Sequence, residues 1–159
     1  MESKSNTAYR SKFNSVDELN NLLGKEIGLT EWYTMDQDKI NIFADTTEDR
    51  QWIHIDEEKC NNESPYKTTI AHGFLMLSMC SKIMFDSYEL NNVGMVINYG
   101  LDKVRFLTPV NVGSKVRTKA KLLSVDDKGD GRYLVKNEVT MEIEGQEKPA
   151  YVAESLTMY

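Results

Sequence analysis

The stretch from Gly73 to Asp86 constrains the fold more than any other part of the chain. Phe74, Leu75, Met76, Leu77, Met79, Cys80, Ile83, Met84 and Phe85 leave no polar face wide enough for solvent. A helix apolar nearly all round is a buried helix. With 159 residues in total, the chain has room for one domain, so that helix must be covered on several sides by the same domain. The cover follows in sequence, because Val93–Tyr99, Lys103–Thr108, Ser114–Val125, Gly131–Ile143 and Ala150–Met158 read as strands. The fourth alternates cleanly, with Tyr133, Val135, Asn137, Val139, Met141 and Ile143 on one face and Lys136, Glu138, Thr140 and Glu142 on the other. Asp126 to Gly131 and Glu144 to Pro149 hold residues suited to antiparallel turns. An antiparallel sheet with one wet face packs its dry face on something, and the buried helix is the candidate. The expectation is an α+β fold, a strongly curled antiparallel sheet wrapped around one long central helix. Such a sheet leaves edges, and pairing with a second copy closes them economically, so a homodimer is expected, with higher homo-oligomers left open.

Ahead of the helix the organisation is looser. Residues 1–14 are polar and lack both an apolar period and the h-region of a signal peptide. They are expected to form a flexible arm, followed by a single domain over 15–159. Ser15-Val16-Asp17-Glu18 fits a capping box. Asp36 can cap a helix through Ala44, and Asp56 to Lys59 suits one further helical turn. From Asp45 to Pro65 the pattern becomes polar and irregular, and long loops in small domains are usually functional.

Composition removes several functions. A net charge of −6 repels phosphate backbones, so no nucleic-acid partner is expected. The longest apolar stretch falls short of the ~20 residues that span a bilayer, so no membrane role is expected. Cys60 and Cys80 are too few for a disulfide framework and lack metal-site spacing. The expectation is a cytoplasmic protein without a metal centre.

Only two histidines are present, and both lie in or beside the long loop. Asp49 and His54 are five apart, a spacing that brings them together only on irregular backbone. There they could hold one water between them, a pairing suited to general acid–base work near neutral pH. On spacing alone, a surface carboxylate and a half-buried imidazole is the more ordinary outcome. Gly73, next to His72 at the helix start, could offer an unshielded amide to a ligand oxygen, or serve only close packing. His72 itself reads more readily as a cap or a core histidine than as a catalytic group. Ser78 is expected to bond back to the preceding turn, while Ser81 could line a channel along the helix.

Residues 43–54 (FADTTEDRQWIH) and 70–75 (IAHGFL) resemble the hydratase motif of the MaoC-like dehydratases, the family of the (R)-specific enoyl-CoA hydratases. Residues 97–110 (INYGLDKVRFLTPV) are similar to its nodulation protein N branch. The resemblance runs from about Lys25 onward. It implies the hot-dog fold, usually dimeric, and reversible hydration of a trans-2-enoyl-CoA to a 3-hydroxyacyl-CoA. By position it implies Asp49 and His54 as the catalytic acid–base pair, Gly73 as the amide that binds the thioester carbonyl, and Ser81 as a further hydroxyl in the site. No cofactor is implied beyond the CoA thioester, which belongs to the substrate; Lys103 and Arg105 are candidates for its phosphates. Two departures stand out. Gln51-Trp52 replaces the usual Asn-Pro, implying a reshaped acyl pocket, and Glu48 replaces a common Gly, implying a more acidic surrounding for Asp49. Alternatives on the same fold are an acyl-CoA thioesterase and a non-catalytic acyl-CoA or acyl-carrier binding module.

Overall fold

The computed structural model describes residues 7–159, excepting the side chains of Ile83 and Met84. Residues 1–6 of the expected arm lie outside the described residues. Its remainder is not all loose, because Tyr9–Phe13 forms a strand, β1, whose Phe13 joins the core. Helix α1, Val16–Asn20, starts at Ser15, whose side chain accepts the Glu18 N–H at 3.3 Å. Glu18 reaches back one residue further than a standard box, accepting the Asn14 N–H at 2.7 Å.

Two short strands follow, β2, Glu26–Leu29, and β3, Tyr33–Thr34. Asp36 then caps α2, Gln37–Thr47, by accepting the Lys39 N–H at 2.9 Å. The long loop carries two short helices, α3, Trp52–Ile55, and α4, Glu57–Glu63, the second capped by Asp56.

The central helix is present as two pieces, α5, Gly73–Ser78, and α6, Cys80–Ser87. The long central helix expected here is thus interrupted at one residue, Met79, whose backbone remains right-handed helical. Ser78 Oγ donates to the Phe74 carbonyl at 2.7 Å, the back-bond that bends helices, and the break follows at once. The helix is also covered on fewer sides than its apolar sequence demands, since Phe74 is 69% exposed.

The remaining strands are β4, Tyr88–Leu90, β5, Ile97–Phe106, β6, Lys115–Gly129, β7, Arg132–Ile143, and β8, Tyr151–Met158. Among the described residues they complete an eight-stranded sheet in the order β4-β1-β2-β6-β7-β8-β5, with β3 also on β6. Pairing is antiparallel except between β1 and β4. β6 and β7 form a long hairpin whose two-residue turn, Asp130-Gly131, has positive φ at both positions, the geometry that matches strand twist. Val135, Asn137, Val139, Met141 and Ile143 point inward as their alternation predicts. Val135, Val139, Met141 and Ile143 pack with Ile27, Met35, Ile40, Leu122 and Tyr151 against Leu75 and Met76 of α5. The sheet therefore curls around the helix in the hot-dog manner. Among the described residues no helix is long and apolar enough to cross a membrane.

Candidate active site

Helix α2 ends at Glu48, which adopts a left-handed conformation, φ 60°. Asp49 and Arg50 follow without regular structure, Gln51 is extended, and α3 begins at Trp52. This irregular path brings Asp49 and His54 together in a way that neither a helix nor a strand would allow. Polar atoms of Asp49, His54 and His72 all lie within 4.8 Å of one another. A single water spans that separation with ordinary hydrogen bonds.

His54 is buried, 6% exposed, and its Nδ1 lies 2.7 Å from the Ile70 carbonyl oxygen. A carbonyl only accepts, so Nδ1 carries the hydrogen and the neutral ring presents Nε2 as a lone pair. Burial lowers the His54 pKa from its usual value. The Ile70 bond opposes that shift, His72 adds to it, and Asp49 opposes it.

The main chain around His54 is clamped. Gln37, the first residue of α2, donates from Nε2 to the His54 carbonyl at 2.7 Å and accepts from Thr69 Oγ1 at 2.5 Å. The Ile70 N–H bonds the Ile53 carbonyl at 3.0 Å, and the Ala71 N–H bonds the Val110 carbonyl at 2.8 Å. Neither Gln37 nor Thr69 stands out in the sequence, since their partners lie 17 and 32 residues away. Only the Asp36 cap, which fixes where α2 starts, hints at the placement of Gln37.

His54 and Gly73 border a cavity of about 440 Å³, walled by Ile70, Met76, Phe106 and Val110. That size and apolar lining suit a small-molecule ligand. The Gly73 amide belongs to the first turn of α5 and has no acceptor within its own helix. A methyl group at Gly73 would sit 3.3 Å from the Phe106 ring, so glycine keeps this wall of the cavity open. Phe106 packs edge-on against Phe74, with centroids 5.9 Å apart; its alternating strand context gave no sign of this placement.

The remaining expected site residues are not gathered here. Ser81 accepts from Asn98 Nδ2 at 3.0 Å and borders two other cavities, of about 240 and 140 Å³. Trp52 sits beneath Lys59, whose Nζ is 4.8 Å from the ring, and does not line the 440 Å³ cavity. The reshaping expected from its indole is therefore not direct. Lys103 is paired with Glu154 at 2.7 Å, and Arg105 donates to the Val104 carbonyl at 2.7 Å. Asp49, His54 and His72 have the chemistry of metal ligands, but the His54 and His72 rings are stacked, with centroids 3.7 Å apart and planes 24° apart. Stacked rings aim their in-plane lone pairs alongside each other, a poor match for two imidazoles on one ion at about 2.0–2.1 Å.

A family model described as "MaoC like domain" matches residues 18–145. The chain belongs to the MaoC-like family. It is similar to 3-hydroxyacyl-thioester dehydratase Z of Mycobacterium tuberculosis, 44% identical over 92% of this chain and 97% of that protein. It is also similar to nodulation protein N of Rhizobium leguminosarum bv. viciae, 41% identical over 91% and 90%. Both similarities span the Asp49, His54 and Gly73 region. Among solved structures, the (R)-hydratase from A. caviae involved in PHA biosynthesis superposes with a TM-score of 0.68. That match covers 85% of this chain and 94% of the hydratase at 18% identity, which bears on the hot-dog fold alone.

Proposed function

We propose that this MaoC-like protein adds water reversibly across the double bond of a trans-2-enoyl-CoA, giving an (R)-3-hydroxyacyl-CoA. One observation carries the reading: His54, whose ring lies within 4.8 Å of the Asp49 carboxylate, borders an apolar cavity that Gly73 at the start of α5 also lines. The dehydratase and nodulation relatives support it. In the proposed step, the enoyl chain occupies the cavity with its thioester carbonyl at the Gly73 N–H. The water lies between the Asp49 carboxyl and His54 Nε2. As the water oxygen bonds C3, the pair takes up one of its protons, and negative charge moves through C2 onto the thioester oxygen. The Gly73 amide donates to that oxygen, and the pair returns the proton to C2. The net change is addition of one water, and no cofactor enters. Acid–base assistance of this kind contributes ~10²–10⁴-fold, and a donor aimed at the developing oxyanion contributes further. Ser81, in a separate cavity, has no part in the proton transfer.

A homodimer belongs to the same reading. Among the described residues β5 is an edge strand paired only with β8 in the sheet order, and Ile97, Tyr99 and Leu101 along it are exposed. An apolar edge of this length is normally covered, and an antiparallel twin of the same strand would cover it.

The test follows loss of the conjugated enoyl-thioester absorbance of crotonyl-CoA. Asp49→Asn and His54→Ala are each expected to lower kcat by about 10²–10⁴-fold without loss of folding. Unchanged rates in both variants refute the assignment. Release of free CoA thiol in place of hydration would make the protein a thioesterase, and saturable binding without turnover would make it a binding module.

A further inference from the structure

His72 takes no chemical part in the proposed reaction, yet its ring contacts both members of the catalytic pair. Its Nε2 lies 3.0 Å from the Asp49 carbonyl oxygen. Because that oxygen can only accept, Nε2 carries the hydrogen and Nδ1 is the bare nitrogen. One face of the ring stacks on His54, centroids 3.7 Å apart, and Phe43 of α2 packs on it at 5.1 Å with a 55° tilt. His72 is also the N-cap residue of α5, but its side chain makes no capping bond. Ser, Thr, Asp and Asn are the residues that cap well, so the helix start does not account for a histidine here. Packing does not account for it either. The residue is 3% exposed, and Nδ1 is buried with no hydrogen-bond partner among the described residues. An apolar ring would fill the same space without stranding a polar atom.

The tie to Asp49 accounts for both features. Asp49 is exposed and lies on irregular backbone. Its own amide reaches Thr47 Oγ1 only at 3.4 Å, so the bond from His72 is the better-formed hold on its main chain. We propose that His72 is a positioning residue that fixes the Asp49 main chain to the His54 ring, setting the gap in which the reacting water sits. The proposal rests on the hydration reading for its kinetic consequence, but the tie itself is a property of the folded chain.

Two variants separate the parts of the tie. His72→Phe keeps a flat ring against His54 and removes the donor to Asp49. His72→Gln loses the ring but places an amide N–H near the position of Nε2. With crotonyl-CoA, His72→Phe is expected to lower kcat about 10–100-fold with KM changed less than about threefold, since small misplacements of catalytic groups cost up to about that much. His72→Gln is expected to recover at least part of that loss. Equal losses in kcat and apparent affinity, or a loss in step with the fraction of folded protein, would reduce His72 to a packing residue and overturn the proposal. A full wild-type rate in folded His72→Phe would do the same. Imidazole ¹⁵N spectra supply a readout independent of turnover. The expected result is a protonated Nε2 on His72, with the Asp49 amide and His54 ring signals displaced in His72→Phe and the Asp49 signal partly restored in His72→Gln. A protonated Nδ1 on His72, or unmoved Asp49 and His54 signals, overturns the proposal. A wild-type protein inactive on enoyl-CoA but showing the expected spectra would refute the hydration reading and leave the tie standing.

Discussion

His54 donates through Nδ1 to the Ile70 carbonyl and offers Nε2 to whatever occupies the cavity. Burial, with His72 alongside, lowers its pKa below the ordinary value of ~6.5 despite the opposing Ile70 bond and Asp49. A base whose pKa is depressed stays unprotonated further into acid. The acid limb of the pH–rate profile is therefore expected to have its midpoint below ~6.5, with kcat/KM rising as pH rises through it; a midpoint above that value would contradict the role given to His54. The same shift has a stability consequence of defined sign. The unfolded chain binds the His54 proton more readily than the folded one, so the stabilising contribution is complete above ~6.5 and is lost as pH falls through the folded-state pKa. The irregular loop made Asp49 and His54 a possible pair, but spacing alone favoured the ordinary outcome, and the resemblance to the hydratase motif singled them out. Gln37 was not visible in the sequence, since it acts on the His54 carbonyl, and a main-chain partner leaves no mark on residue identity.

At the scale of elements, two junctions decide where the site groups sit. Glu48 closes α2 with φ 60°, a conformation that costs an L-residue about 1–2 kcal/mol relative to glycine. The sequence reading treated Glu48 as a charge beside Asp49, whereas its structural consequence is conformational. Glu48→Gly is expected to raise stability by about 0.5–1 kcal/mol after the entropy cost of glycine, measured by urea denaturation; a loss of stability would show that the Glu48 side chain is needed. The second junction is where β2 passes the end of α6. A methyl at Gly28 would overlap the Ser87 carbonyl, a backbone group that cannot rotate away. Gly28→Ala is expected to cost at least about 1–3 kcal/mol, again by urea denaturation, and a neutral result would mean that α6 is free to move off the sheet. The β6–β7 hairpin was legible in outline from the alternation and the turn residues of Asp126 to Gly131, although the strands run on to Gly129 and Arg132 and leave only Asp130-Gly131 as the turn. The division of the central helix was not, because Phe74 to Phe85 carries a uniformly apolar signal across the Ser78 back-bond that precedes the break.

Over the whole molecule, apolar surface is distributed unevenly. The Val135 to Ile143 face is sealed against the helix, while β5 and the outer side of α5 and α6 leave Phe74, Phe85 and Tyr99 exposed, the last at 63%. The expected outcome in size-exclusion chromatography with light scattering is a dimer for the natural chain. Tyr99→Lys combined with Leu101→Lys places two charges along the exposed edge strand and is expected to yield a monomer. A natural chain that elutes as a monomer at micromolar concentration would refute the pairing. The helix's apolar girth implied a cover on all sides, and the fold supplies only part of it; in the proposed dimer a second copy would supply the rest, and one chain's sequence pattern does not separate such a contact from its own core.

The position of β5 in the chain also bears on its biosynthesis. β5 ends at Phe106, and its sheet partner β8 begins at Tyr151. At ~5–20 residues per second, the usual pace of translation, the ribosome finishes the first of these strands about 2–9 s before it starts the second. For that interval both edges of β5 stand unpaired on the nascent polypeptide, an open template for pairing with another chain.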